Sequence, residues 1–335
     1  MSQSTFKRKA HKGFFTRCLQ ALPSSAEAHD ANRITIAFFC LGGLYLLGEL
    51  SPSDKDRQDW TEWIWSLQSP EGGFAGSPHA PKVQGHLPST YTALCCLALL
   101  GSPMDRLDKP ALRRFLKSCQ AEDGSFAPTP DTEGMFQNDA RMSYCAVVCG
   151  TVADSGTEGE GRTGGFNKQK AAEYLRRCQT WEGGFASRPG VVEAQGGMTY
   201  CALSSLALLG ELKGNTELEE EATRWLSQRQ IGGFQGRPGK LEDVCYSFWC
   251  GGALAALGHS DLVNEEPNTA FLLNSQSPLG GFGKAPEDYP DPFHSYLALT
   301  ALAMTPAREQ LGLAEIDPVW NLAPEMRDRL LKPVP

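Results

Sequence analysis

Trp225-Leu-Ser-Gln-Arg-Gln230-Ile-Gly-Gly-Phe234 is an aromatic-led segment that reaches Gln five residues on and then a short Gly-Gly-Phe loop, and an apolar run, Val244–Leu257, follows. The same arrangement recurs along the chain: Trp63, Gln68 and Phe74; Phe115, Gln120 and Phe126; Tyr174, Gln179 and Phe185; Phe271, Gln276 and Phe282. Phe-to-Phe spacings of 52, 59, 49 and 48 residues leave room for two helices and two loops per unit. Self-similarity at such a period marks a helix-pair array. The second run of each unit (90–100, 141–152, 198–209, 244–257 and 294–304, with an extra one at 33–47) is apolar around most of its circumference. That suits a helix buried on two sides, whereas the aromatic-led segments carry charges such as Arg113, Arg114 and Lys117 on one face. Six inner and about six outer helices predict an all-α fold, a closed α/α toroid formed by one domain over 1–335. The stretch 154–165, rich in Gly, Glu and Thr, reads as a flexible surface insertion.

Closure gathers the inner-helix N-termini at one rim beside the Gly-rich loops, where exposed N–H groups favour anions. Arg33, Arg141, Gln195, Asp243 with Cys245, and His294 all fall at or beside inner-helix starts, so they are expected to converge on one cavity mouth. Arg237-Pro-Gly-Lys240-Leu-Glu-Asp243-Val-Cys245-Tyr246 holds two cations, a carboxylate and a thiol. Arg and Lys in such a loop can clamp phosphate oxygens, and Asp and Cys are zinc ligands that need one partner, for which His294 is the candidate. Plainer readings stand beside these: Asp243 also suits a helix N-cap, Cys245 an inert core thiol, and His294 a hydrogen-bonded cap.

A net charge of −8 over 335 residues argues against nucleic acid or an anionic membrane as partner of the whole surface. Eleven cysteines, an odd count at irregular spacing, read as reduced thiols of a cytoplasmic protein. No apolar run approaches the ~20 residues of a membrane span, and Lys332-Pro-Val-Pro offers no Cys for lipidation, so neither insertion nor a lipid anchor is expected.

Gly233-Phe-Gln-Gly-Arg237, Asp243-Val-Cys-Tyr-Ser-Phe-Trp249 and Asp291-Pro-Phe-His294, in this order, resemble the β subunits of protein prenyltransferases, and the likeness runs from Phe15-Thr-Arg-Cys-Leu-Gln20 to His294. Within that family the chain looks most like the type I geranylgeranyl-transferring enzymes. Arg33-Ile-Thr-Ile-Ala-Phe-Phe39 has Thr35 where farnesyltransferases have a Trp that shortens the lipid pocket, and Lys284 stands where they carry a magnesium-binding Asp. Glu62-Trp-Ile-Trp-Ser-Leu-Gln68 also has the type I look.

The resemblance implies zinc held by Asp243, Cys245 and His294, no required magnesium, and the substrate cysteine as fourth ligand. It implies Arg237, Lys240 and Tyr246 as groups holding the diphosphate, with Lys284 adding a fixed cation and Gln195 standing where the family has a diphosphate-binding His. Tyr144, Cys201 and Trp249, with Thr35, match tunnel positions; Arg141, Phe39 and Phe293 match positions near the peptide, Phe293 replacing a Leu. The activity implied is transfer of geranylgeranyl from its diphosphate to C-terminal Cys-aliphatic-aliphatic-Leu/Phe sequences of Rho-type small GTPases, in a heterodimer with an α subunit. Kept open beside it are a farnesyltransferase or dual-specificity β subunit and a non-enzymatic, partner-binding toroid. Terpene cyclases, which share α/α toroids, lose ground because neither Asp-Asp-x-x-Asp nor Asp-x-Asp-Asp occurs.

Overall fold

The computed structural model describes residues 5–22, 24–78, 84–130, 138–156 and 164–332. Helices α1 Arg8–Gln20, α2 Arg33–Leu46, α3 Asp54–Ser66, α4 Leu87–Leu100, α5 Lys109–Cys119, α6 Ala140–Ala153, α7 Lys168–Arg177, α8 Gly196–Leu209, α9 Thr216–Ser227, α10 Val244–Leu257, α11 Glu265–Asn274 and α12 Pro292–Ala303 alternate between an outer and an inner layer. Two short helices, α13 Ala307–Leu311 and α14 Pro324–Leu331, end the described chain. The even-numbered helices from α2 to α12 pack each on the next, and α12 packs back on α2, so the inner ring closes. The expected α/α toroid is the fold, with six inner and six outer helices, and its inner helices begin within three residues of the predicted runs.

The two layers differ in composition for a physical reason. Inner helices touch neighbours on all sides, so α4 buries every residue from Ser89 to Leu100, and small Ala, Cys, Ser and Gly let six backbones approach. The outer helix α5 buries only one stripe, Ala111, Leu112, Phe115, Leu116 and Cys119, and leaves Arg114 and Lys117 in water. Outer-helix cations also satisfy carbonyls at inner-helix C-termini: Arg57 donates to Leu100 O at 2.8 Å, Lys109 to Ser155 O at 2.7 Å, and Arg8 to Leu47 O.

The repeat's own residues weld the units together. Each Gln and its loop Phe form an antiparallel bridge, and Phe74, Phe126, Phe185, Phe234 and Phe282 are wholly buried. The Gln amide then grips the start of the next outer helix: Gln120 accepts from Asn167 N at 2.8 Å and donates to Asn167 O at 2.9 Å, and Gln230 does the same at Asn264. At the last unit Gln276 accepts from Lys7 N at 2.9 Å, so α1 takes the place of a next repeat. Glycine is required at this seam. A Cβ on Gly280, whose φ is +90°, would lie 2.0 Å from Ala10 O, as one on Gly72 would lie 2.2 Å from Ala111 O.

The insertion is anchored at its first end. Asp154 is buried; its carboxylate accepts from Gly164 N at 2.8 Å and pairs with Lys168 at 3.3 Å. Thus 154 is not a surface position, while 157–163 lie outside the described residues. All eleven cysteines are free and all but Cys18 are buried. No helix among the described residues is long and apolar enough to cross a membrane.

Candidate metal centre

Asp243, the N-cap of α10, accepts from Cys245 N at 3.0 Å through its own side chain. The cap position solves a problem of angle: two residues apart inside a helix, carboxylate and thiol would diverge by about 200°. From outside the first turn, the Asp243 carboxylate instead bends back over Cys245, and α12 brings His294 to both. The ligand atoms of Asp243, Cys245 and His294 lie within 4.8 Å of one another. His294 Nε2 is 3.4 Å from Asp243 Oδ1, and its Nδ1 is 2.6 Å from Asp291 Oδ2. Asp291, itself the N-cap of α12, therefore holds one ring nitrogen and leaves the other aimed at the cluster, as metal-binding histidines are usually held.

The three side chains shift one another's protonation. Burial pulls the His294 imidazole down, but the hydrogen bonds it donates to Asp243 and Asp291 outweigh it and raise it to about 9. Burial also acts on Asp243 upward, yet its bonds with His294 and Cys245 leave the carboxyl below its ordinary range. Burial and the neighbouring Asp243 push the Cys245 thiol well up. One oxygen, one sulfur and one nitrogen donor, drawn together in this way, form a set that could hold a metal ion. Lys284 Nζ stands 3.9 Å from Asp243 Oδ2 with its side chain mostly in water, at the edge of the cluster.

Tyr246, next in sequence, is half-buried, and burial together with Cys245 and Asp243 pushes its phenol up to about 12, so it keeps its proton at neutral pH. The Gln195 amide donates to its hydroxyl, while Gln195 Oε1 caps α8 through Met198 N at 2.9 Å. A Cβ on Gly236 would lie 2.2 Å from Tyr246 Cζ, which is why a glycine precedes Arg237. Arg237 pairs with Glu193, and Lys240 is exposed with no ion pair among the described residues.

The lumen beneath the rim is aromatic. Phe39 and Phe293 rings lie 5.5 Å apart, Phe293 stands 4.9 Å from His294 and 6.5 Å from Trp249, and Trp249 stands 5.0 Å from Tyr200. Thr35, one turn before Phe39 on the same face, is 3.5 Å from Thr92 through their hydroxyls. Tyr144 and Cys201 are buried in the inner ring. Arg141 is exposed and held in a fork by Asp139, with Nε at 3.1 Å from both oxygens and Nη2 at 2.6 Å from one. Arg33 departs from expectation. It pairs with Asp30 and lines a cleft of about 510 Å³ between α1, α2 and α3, with Ile36 and Trp63, on the opposite side of α2 from Thr35 and Phe39. A polar residue at a helix start reaches whichever layer its helical angle points to, and sequence position alone does not give that angle. Asp291, Asp139 and Glu193, which orient His294, Arg141 and Arg237, were given no role from the sequence, although Asp291 stood in the quoted Asp-Pro-Phe-His motif; Asp at the cap position three before His is the signal that was there for it.

Residues 6–322 match the family described as the prenyltransferase alpha-alpha toroid domain. The chain belongs to that family. It is 33% identical to the geranylgeranyl transferase type-1 subunit beta of Arabidopsis thaliana over 95% of this chain and 89% of that protein. The protein farnesyltransferase subunit beta of Schizosaccharomyces pombe is also 33% identical, over 90% and 78%. Among solved structures, the Candida albicans protein geranylgeranyltransferase-I complexed with GGPP superposes with a TM-score of 0.88 at 28% identity, covering 98% of this chain and all of that one. A type II terpene cyclase from Scytonema superposes at 0.56 with 14% identity, a likeness of fold alone. This prenyltransferase is accordingly a β-subunit-like enzyme with a three-residue candidate metal centre at the mouth of an aromatic lumen.

Proposed function

We propose that this β subunit transfers a geranylgeranyl group from geranylgeranyl diphosphate to the cysteine sulfur of C-terminal Cys-aliphatic-aliphatic-Leu/Phe sequences on Rho-type small GTPases, in a zinc-dependent heterodimer with an α subunit. The observation that carries the reading is the convergence of Asp243, Cys245 and His294 within 4.8 Å above an aromatic lumen. The likeness to a geranylgeranyltransferase-I solved with GGPP supports the choice of lipid.

Asp243, Cys245 and His294 would hold the zinc, and zinc, when bound, supplies a position where a substrate thiol binds as thiolate at neutral pH. The reaction forms a sulfur–carbon bond at C1 of the lipid and breaks the carbon–oxygen bond to diphosphate, which leaves with the charge. The chain's task is to receive that charge. Tyr246, kept protonated by its surroundings, donates a hydrogen bond to a diphosphate oxygen and is aimed by Gln195. Arg237, Lys240 and Lys284 bring fixed cations to the same rim, Lys284 in place of a magnesium ion. Glu193 gives up Arg237, or shares it, when the anion arrives. Thr35 leaves lumen volume that an indole would fill, and Phe39 and Phe293 border the peptide's end; Arg141, in its fork with Asp139, meets the peptide near its C-terminus.

The test is co-expression with an α subunit, then zinc content and transfer from C15 and C20 diphosphates to Cys-x-x-Leu and Cys-x-x-Ser peptides without magnesium. One zinc and C20 transfer to the Leu peptide is the expected result. Magnesium-dependent C15 transfer would make this a farnesyltransferase, and a zinc-free, inactive complex would make it a binding toroid.

A further inference from the structure

The residue just ahead of the bridging Gln occupies the same buried slot in every unit: Leu67, Cys119, Cys178, Arg229 and Ser275, none more than 7% exposed. Four units fill it with an uncharged side chain. The fourth unit in chain order, whose loop carries Arg237 and Lys240 and whose inner helix follows with Asp243, Cys245 and Tyr246, fills it with a cation. That unit departs in length as well: Phe234 stands four residues after Gln230, against six in each of the others.

Little in the fold holds the Arg229 guanidinium. Its Nε donates to Trp225 O at 3.1 Å, one turn back in α9, and its Cζ lies 4.9 Å from the Trp225 ring centroid. Nη1 is buried without a hydrogen-bond partner, and Arg229 has no ion pair among the described residues. The acidic side chains of this region are engaged elsewhere. Glu182, the carboxylate that acts on Arg229, accepts from Ala194 N at 3.0 Å; Glu242 accepts from Gly232 N at 2.7 Å and Gly233 N at 2.5 Å; Glu193 pairs with Arg237. Burial pulls the guanidinium down from its ordinary value, yet arginine keeps its proton inside proteins, so the charge stays. A buried, unpaired charge is costly, and the other four units show that the slot itself does not call for one.

The charge lies behind the rim. Arg229 O accepts from Gln235 N at 2.8 Å, and Gln235 Nε2 donates to Lys240 O at 2.6 Å, so the loop with both cations is built on Arg229. Cys250, wholly buried, is an electrostatic neighbour of both Arg229 and Tyr246; its thiol donates to Gln235 O at 3.8 Å, and it follows Tyr246 by one turn of α10, about 6 Å. A Cβ on Gly196, the first residue of α8, would lie 2.8 Å from Cys250 Sγ and 3.0 Å from Tyr246 Cδ1, so thiol, phenol ring and the Gln195-capped start of α8 are packed together. The field of Arg229 reaches the Tyr246 side of the rim through packed protein, where screening is weaker than in solvent.

We propose that Arg229 is a positioning residue for charge: from beneath the Gly233–Lys240 loop its unpaired guanidinium draws the diphosphate of a prenyl substrate onto Tyr246, Arg237 and Lys240 without touching it. This rests on the reading above that the rim takes a diphosphate. Arg237 shares its charge with Glu193, whereas Arg229 has no such partner, and that makes the buried cation count. At an effective permittivity of about 20, a unit charge roughly 10 Å from an anion changes its binding by about tenfold.

The experiment measures, in the heterodimer, the Kd of geranylgeranyl diphosphate, geranylgeranyl monophosphate and geranylgeraniol for the unaltered chain, Arg229→Leu and Arg229→Lys. The first unit already holds Leu in this slot, and Arg229→Cys, after the second and third units, takes over the test if Arg229→Leu does not assemble. The expected result for the uncharged variant is a loss graded by ligand charge: about tenfold for the diphosphate, less for the monophosphate, and under about twofold for the alcohol, with Arg229→Lys within about threefold of the unaltered chain for all three. Equal losses for the three ligands, or Arg229→Lys as weak as Arg229→Leu, would overturn the proposal by making Arg229 a packing residue only, and an unchanged diphosphate Kd would overturn it outright. An unaltered chain that binds the alcohol as tightly as the diphosphate would remove the anion site itself, and the proposal with it.

Discussion

Asp291→Asn separates what the carboxylate does for His294 from what it does for the fold. Asp291 makes two bonds through different oxygens: Oδ1 accepts from His294 N at 2.9 Å as the α12 cap, and Oδ2 lies 2.6 Å from His294 Nδ1. Asn caps helices about as well as Asp, so the first bond survives. The second becomes a neutral contact that no longer makes the ring a stronger donor. Loss of such an outer partner costs 10- to 100-fold in metal affinity, about 1.4–2.7 kcal/mol. The Asp291 side chain is 44% exposed, so water screens part of the effect and the lower end, about tenfold, is expected. Competition for zinc against a chelator of known affinity at neutral pH measures it, with a thermal melt in parallel. Asp291→Ala should show the same zinc loss plus about 1 kcal/mol of lost capping. Zinc affinity unchanged within twofold in Asp291→Asn would refute the claim that Asp291 orients a metal ligand.

The other predictions concern closure, the diphosphate donor and lipid length. His11 is buried; its Nδ1 accepts from Gly281 N at 3.0 Å and its Nε2 donates to Gln276 Oε1 at 2.9 Å, so a second ring proton would face an N–H. Burial lowers it to about 4, against the opposing bond to Gln276. A base held neutral in the fold favours folding above its ordinary value of 6.5; stability is expected to fall as pH drops from there to about 4, by about 3 kcal/mol in all, and urea midpoints of His11→Gln should lose that slope. Gly236→Ala should push Tyr246 aside and lower kcat by about 10²–10³, as loss of one charge-receiving donor does, with Tyr246→Phe matching it; equal kinetics in both cases to the unaltered enzyme would remove Tyr246 from the site. Thr35→Trp should lower the C20 to C15 ratio of kcat/KM by at least about tenfold in competition assays, through lost lumen volume beside Phe39.

The repeat was legible because every unit must bury the same face against its neighbours. The Gln that recurs ahead of each Gly-Phe loop grips the next outer helix, and only a sequence that repeats can satisfy that contact repeatedly. Ring closure was legible for the same reason, although the part of α1 was not. His11 and Gly280 meet across nearly the whole chain, and no local pattern pairs them. At the rim, Asp243, Cys245 and His294 stood out by residue type and by likeness to a known motif. Their angular problem was solved only by the cap geometry of α10.

Arg33 shows the limit from the other side: a cation at an inner-helix start joined Asp30 in an outer cleft, because direction around a helix depends on packing. Tyr91, Tyr200 and Tyr296 were not singled out from the sequence, since nothing near them in sequence reveals an acceptor. The sequence by itself determined the helix-pair period, the two layers and the donor types at the mouth, which are local consequences of apolar spacing, glycine and side-chain chemistry. Tertiary structure alone decided that the hydroxyls of Tyr91, Tyr144, Tyr200 and Tyr296, from four helices, would meet four successive carbonyls of 318–321, because a ring brings to one level residues that the chain keeps about fifty or more apart.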